Sequence, residues 1–195
     1  TGDTLIAVAD GRIAVSIKKL TEEGKEIPVY SFDGEKIVIE RANNFRKTGS
    51  DKKVYRVILE DGSSFRATED HKIMLRNGEY TEVKSLKEGM SLMPFNKVIR
   101  NGYFYIYDNT GKRKREHEMI FEHNNGPIAN FGIENSNIHH IDENKHNNKL
   151  SNLKLMTHSE HARLHFKKYW QMKKVKNASW YPSAAGEGLP RISER

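Results

Sequence analysis

The chain has 195 residues, enough for one large domain or two small ones. It has no cysteine, which excludes disulfide staples and thiolate zinc sites and leaves His, Asn and carboxylates as metal ligands. Apolar content is 36%, mean hydropathy is −0.79, and no apolar run approaches the roughly 20 residues that span a bilayer, so no membrane partner is expected. The net charge of +7 lies wholly in the second half: residues 1–95 hold 16 Lys+Arg against 16 Asp+Glu, residues 96–195 hold 17 against 10.

Thr1-Gly2-Asp3-Thr4 lacks the basic and apolar regions of a signal peptide. Short β-prone runs follow, at 5–8 and 13–15, 29–32 and 36–39, and 54–59 and 64–67. Each pair is joined across an Asp-Gly turn: Asp10-Gly11, Asp33-Gly34 and Asp61-Gly62. One helical turn fits within 16–23. A strand is expected at 72–75. This meander of hairpins predicts an all-β sandwich or a closed, horseshoe-like sheet.

The pattern then changes. Residues 103–107 read as a strand and 108–111 as a turn. Residues 116–124 read as a short helix stopped by Asn124-Asn125-Gly126-Pro127. A short strand-like run, Ser136-Asn137-Ile138, leads into His139-His140. An Asn-rich loop comes next, then a strand-like run, Leu153-Lys154-Leu155-Met156. Thr157-His158-Ser159-Glu160 has the form of a capping box, so a helix is expected from near His158 through Lys168 and towards Lys176. That helix presents His161 and His165 on one face. The Ser-, Gly- and Pro-rich stretch 177–195 reads as a flexible tail.

Imidazole, amide and imidazole in a strand–loop–strand–helix unit can hold one divalent metal and one general base. Arg115-Glu116-His117-Glu118-Met119-Ile120-Phe121, Asn125-Gly126-Pro127-Ile128, His139-His140-Ile141-Asp142-Glu143-Asn144, Asn147-Asn148, Asn152-Leu153 and Thr157-His158-Ser159-Glu160-His161 stand in the order of the HNH nucleases, which residues 113–165 resemble. The resemblance implies a ββα-metal site that cuts phosphodiester bonds. It implies His140 as general base, with Asn152 holding the loop and hydrogen-bonding the His140 backbone. His139 and His161 become metal ligands, and His165 a third ligand or a phosphate contact. Asp142 caps the loop turn or ligates metal. Mg²⁺ or Mn²⁺ is the expected metal, with Zn²⁺ or Ni²⁺ possible in crystals. Double-stranded DNA is the implied partner, and Lys167, Lys168, Lys173, Lys174 and Lys176 are candidate contacts beyond His165. A fragment of residues 97–195 is expected to keep most DNA affinity.

The first half carries a second resemblance. Gly2-Asp3-Thr4-Leu5-Ile6, then Leu59-Glu60-Asp61-Gly62 with Thr68-Glu69-Asp70-His71, then Leu86-Lys87-Glu88-Gly89-Met90-Ser91-Leu92, resemble in order three blocks of the Hint fold of inteins and hedgehog-type autoprocessing domains. It implies Thr68 and His71 as splicing-type residues that polarise an N-terminal scissile amide. Taken alone, Thr68 and His71 also read as a hydrogen-bonded turn. The expected nucleophilic Cys or Ser, the terminal His-Asn pair and the last two Hint strands are not found in these 195 residues, so the chain alone is not expected to splice.

The expected architecture is α+β: an N-terminal all-β Hint-like horseshoe domain over 1–96, a C-terminal ββα-metal HNH domain over 97–176, and the tail. The leading expectation is a metal-dependent homing endonuclease, cytoplasmic, in a bacterial or phage-infected cell. The alternative is a split or truncated intein that needs a complementary C-terminal fragment. A third reading, DNA binding without cleavage, conflicts with an intact His140.

Overall fold

The computed structural model describes residues 1–108, 110–133 and 135–178, the last five by backbone alone. The fold is α+β, with small antiparallel sheets and three α-helices among the described residues. These residues form two compact units: 1–132 with 138–155, and 133–137 with the residues from 156 onward.

The first unit opens with β1 (Leu5–Ala7) and β2 (Ala14–Ser16), paired across the Asp10-Gly11 turn. Helix α1 (Ile17–Glu23) follows directly. The Ser16 side chain accepts from the Lys19 N–H at its start, and Gly24 ends it in the left-handed region at φ 58°. The expected single turn is thus a seven-residue helix, and the N-terminal half is β-rich rather than all-β. Three further hairpins follow: β3 (Ile27–Phe32) with β4 (Ile37–Ala42), β5 (Val54–Ile58) with β6 (Ser64–Thr68), and β7 (Lys72–Met74) with β8 (Tyr80–Glu82).

The hairpins do not merge into one hydrogen-bonded sheet. Each is a separate two-stranded pair, joined elsewhere by isolated bridges at Val8–Val29 and Leu75–Leu92. Residues 86–92, which resemble a Hint block, hold turns around Gly89 and that second bridge instead of a full strand. β8 escapes a pattern reading because Tyr80-Thr81-Glu82 is too short and polar to show alternation.

The unit continues with a three-stranded sheet of β9 (Asn96–Arg100), β10 (Tyr103–Tyr107) and β11 (Arg113–Arg115), with β10 central. Central β10 was legible; its edge strands, Val98-Ile99 flanked by Lys97 and Arg100 and the wholly basic Arg113–Arg115, were not. Helix α2 (Glu116–Asn125) leaves β11 directly, and the Gly126 N–H closes it on the Glu122 carbonyl. β12 (Ser136–His140) and β13 (Leu153–Thr157) pair around the Asn-rich loop, which includes a 3-10 turn at Leu150–Asn152.

Two apolar clusters hold the first unit together. Val8, Val15, Leu20 and Ile27 form one, flanked by Ile6, Val29 and Phe45. The other joins Ala9 and Ile39 to Ile120, Phe121 and Leu153, with Tyr30, Met119, Ile128, Ile138 and Leu155 packed on it. This second cluster therefore draws on both sides of position 96.

The second unit is dominated by α3 (His158–Ala178). Its capping box is reciprocal: the Glu160 N–H donates to the Thr157 hydroxyl oxygen at 3.1 Å, and the Thr157 N–H donates to the Glu160 carboxylate at 2.9 Å. The helix covers the first two residues of the expected tail, and 179–195 lie outside the described residues. Among the described residues no helix is long and apolar enough to cross a membrane.

Candidate functional site

β12 carries His139 and His140 to its buried end, where they are 7% and 4% exposed. His140 Nε2 lies 2.8 Å from Asn148 Oδ1. Asn148 is buried, and its Nδ2 donates to Glu116 Oε2 at 2.7 Å. Glu116 is the first residue of α2 and only 2% exposed. Its Oε1 accepts from the Tyr30 hydroxyl and, at 2.5 Å, from Lys97 Nζ. A buried carboxylate is tolerable only when paired and hydrogen-bonded in this way. Burial, and then the Glu116 charge, push the Tyr30 phenol above its ordinary range.

His117 walls this network. Its ring meets His140 edge-on at 4.9 Å, and its buried Nδ1 has no hydrogen-bond partner. Burial, then repulsion from His140 and Arg115, lower its pKa to about 3. Tyr103 stacks at 5.2 Å from His117, under Lys145 Nζ at 4.4 Å and Arg115 at 5.5 Å.

The loop after β12 is tied by side chains. The Asp142 carboxylate accepts from Asn147 Nδ2 at 2.6 Å, Asn152 Nδ2 at 2.8 Å and the Asn144 N–H at 2.9 Å. These bonds, Asn147 first, hold Asp142 below the usual carboxylate range. Asp142 thus caps its turn. Asn152 Oδ1 accepts from the Asp142 N–H at 3.0 Å, so its amide grips Asp142 rather than the His140 backbone expected from the resemblance. Its main-chain carbonyl accepts from the Ile141 N–H at 2.8 Å. The reason is register: across the hairpin Asn152 stands opposite Ile141 and Asp142.

In the second unit, His161 and His165 stand one helical turn apart with their Nε2 atoms 3.3 Å apart. That is close to the ligand–ligand edge of a tetrahedral site with metal–nitrogen bonds of roughly 2.0–2.1 Å. Burial, then His165 and His158, lower the His161 pKa. Lys167 and Lys173 are exposed on α3 and Lys168 is half-buried. Lys173 Nζ lies 5.5 Å from the ring centroids of both Tyr169 and Trp170. The side chains of Lys174 and Lys176 lie outside the described residues.

A separate constellation gathers at the chain start. The Thr1 amine lies 3.3 Å from the Thr4 hydroxyl and 3.5 Å from the Arg66 carbonyl on β6. The Thr4 hydroxyl reaches the same carbonyl at 3.5 Å, and Arg66 pairs with Asp3. Hydrogen bonds from Thr1, then Arg66, hold Asp3 down to about 2. A pocket here is lined by Thr1, Asp3, Thr4, Arg56, Ser64 and Arg66, among others. β6 ends in Thr68, whose carbonyl accepts from the His71 N–H at 3.1 Å. The Thr68 hydroxyl donates to Asp70, and His71 is exposed.

Sequence reasoning missed Tyr30, Lys97 and Glu116, and assigned Asn148 only to the loop and His117 to nothing. Tyr30 and Glu116 are 86 positions apart, and no local pattern links them. A Glu at a helix start reads as a favourable first-turn charge, with no sign of burial.

A family model described as the intein splicing domain matches residues 6–176. The chain is 35% identical over 187 residues to a DNA gyrase B protein of a Synechocystis species, covering 86% of this chain and 17% of that protein. It is 38% identical over 106 residues to a replication factor C small subunit of Methanocaldococcus jannaschii, covering 53% of this chain and 6% of that protein. The chain thus spans a small fraction of each relative.

Proposed function

The chain belongs to the intein splicing domain family, and on that premise we propose that it is a protein-splicing module set within a longer host polypeptide. One observation carries this reading: the first residue lies against β6, the strand that ends in Thr68 and leads to His71. The Thr1 amine lies 3.5 Å from the Arg66 carbonyl, two residues before Thr68 on the same strand. The resemblance assigns Thr68 and His71 to polarising the scissile carbonyl, for which the Thr68 hydroxyl would have to turn from Asp70, and that polarisation favours attack by a neighbouring hydroxyl or thiol. Two relatives with unrelated printed names, each matched over a small fraction of its length, support a module embedded in different hosts. The closing strands and the His-Asn pair would come from further sequence or a complementary fragment.

The test places the chain between reporter segments with a nucleophilic Cys supplied at the N-terminal junction, with and without a C-terminal intein fragment. Ligation is expected only with the fragment. His71→Ala should slow cleavage at the N-terminal junction by about 10²-fold or more, as loss of a proton-handling group does. Unchanged junction cleavage in that variant would remove His71 from the chemistry.

A second reading rests on a separate observation, the buried His140 held through Asn148 beside a loop braced by Asp142 and Asn152. It supports an HNH endonuclease inserted in the splicing module, homing-type, with double-stranded DNA as substrate and 97–176 as its domain. The resemblance assigns metal binding to His139, His161 and His165, and the spacing of the last two suits one ion. When bound, Mg²⁺ or Mn²⁺ would supply a Lewis acid for the phosphate. Plasmid cleavage that EDTA stops and His140→Ala abolishes supports this reading, and cleavage that persists in chelator ends it.

A further inference from the structure

We propose that Glu116, acting through Asn148, fixes the tautomer of His140, and that Glu116 is a positioning residue for phosphodiester cleavage. This rests on the endonuclease reading of the same site. The donor and acceptor inventory of each group decides the tautomer. Lys97 Nζ can only donate, and it meets Glu116 Oε1 together with the Tyr30 hydroxyl. The carboxylate so anchored turns Oε2 to Asn148, and a carboxylate oxygen can only accept. The Asn148 amide must therefore present its NH₂ to Glu116 and its oxygen to His140. An amide oxygen can only accept, so His140 Nε2 carries the hydrogen. Nδ1 keeps the lone pair.

The consequence for chemistry is specific. The oxygen of water bonds to phosphorus while its proton passes to Nδ1. The bond from phosphorus to the 3′ oxygen breaks, and the leaving oxygen takes a proton from solvent. Nε2–H stays on Asn148 Oδ1 throughout, so the imidazolium that forms is already hydrogen-bonded. The other tautomer would offer water an N–H in place of a lone pair.

Glu116→Gln makes a sharp test because it keeps the size of the side chain. Lys97 still demands an oxygen, so the new amide turns its NH₂ to Asn148. Asn148 then flips, offers its own NH₂ to His140, and moves the hydrogen to Nδ1. Long-range proton–nitrogen NMR on the full labelled chain, under mildly alkaline conditions where imidazole is neutral, reads the tautomer directly. The native chain should show His140 as Nε2–H and Glu116→Gln should show Nδ1–H. In plasmid cleavage the variant should lose about 10²–10⁴-fold in kcat, with KM and metal dependence unchanged. A native chain with His140 as Nδ1–H overturns the proposal without any variant, as does a Glu116→Gln chain of native tautomer. A native chain with the Nε2–H tautomer that cuts no DNA with any divalent metal overturns the endonuclease reading and leaves the relay standing.

Discussion

His117 is an imidazole kept neutral by its surroundings, and that has a consequence for stability. Its pKa falls from 6.5 to about 3 on folding, through burial first and then through His140 and Arg115. The unfolded chain therefore binds more protons than the folded one below about 6.5. The contribution of His117 is complete above that value, and it is lost as pH falls towards about 3, at no more than about 1.4 kcal/mol per pH unit. His117→Phe keeps a ring and removes the titration. Denaturant midpoints across this window should fall less steeply for the variant than for the native chain. Parallel curves would show that His117 is not the group responsible. None of this is legible from the sequence, where His117 is one histidine among nine. Burial and the lack of an Nδ1 partner come from Tyr103, His140 and the loop folding around it. The place of His140 at a strand end was legible, because a pair of histidines before an Asn-rich loop is a local pattern.

Elements declare themselves when their signals are local. Three Asp-Gly turns mark three hairpins, and Thr157 with Glu160 marks the start of α3. What such turns touch is not local. Gly11 sits at φ 93°, and a Cβ there would stand 2.5 Å from the Lys149 main-chain nitrogen in the loop of the β12–β13 hairpin. Gly34 sits at φ 102° in the equivalent turn, with nothing within 4 Å. Both dipeptides read alike in the sequence. Gly34→Ala should cost only the strain of a positive φ, roughly 1 kcal/mol. Gly11→Ala should cost that strain and also force the backbone of the loop aside, for a total of roughly 2–4 kcal/mol. Thermal melts of the two variants measure the difference. Equal losses would mean that the Gly11 turn and the Lys149 loop separate freely.

At the scale of the whole chain, charge and packing point to different divisions. The positive excess lies after residue 95, which suggests that 97–195 could bind DNA alone. The core argues otherwise. Ile120, Phe121 and Leu153 share their cluster with Ala9 and Ile39, and Tyr30 packs on it and donates to Glu116. Cutting at position 96 exposes the apolar side chains of the second half and removes a donor from a buried carboxylate. Replacing the Ile39 and Tyr30 contacts with water costs roughly 1.5–3 kcal/mol for each apolar side chain, and the weakened Glu116 network adds roughly 1–3 kcal/mol. Against a total stability of roughly 5–15 kcal/mol for a whole domain, a fragment of half the chain has little left. A fragment of residues 97–195 should therefore show no cooperative melt, while the full chain melts in one step for the first unit. Any DNA affinity the fragment retains should be the salt-steep attraction of a basic unfolded chain, without preference for a duplex target. A folded fragment with dispersed amide NMR signals would show that the shared cluster is dispensable. In that case the charge boundary, and not the core, would mark the true division of the chain.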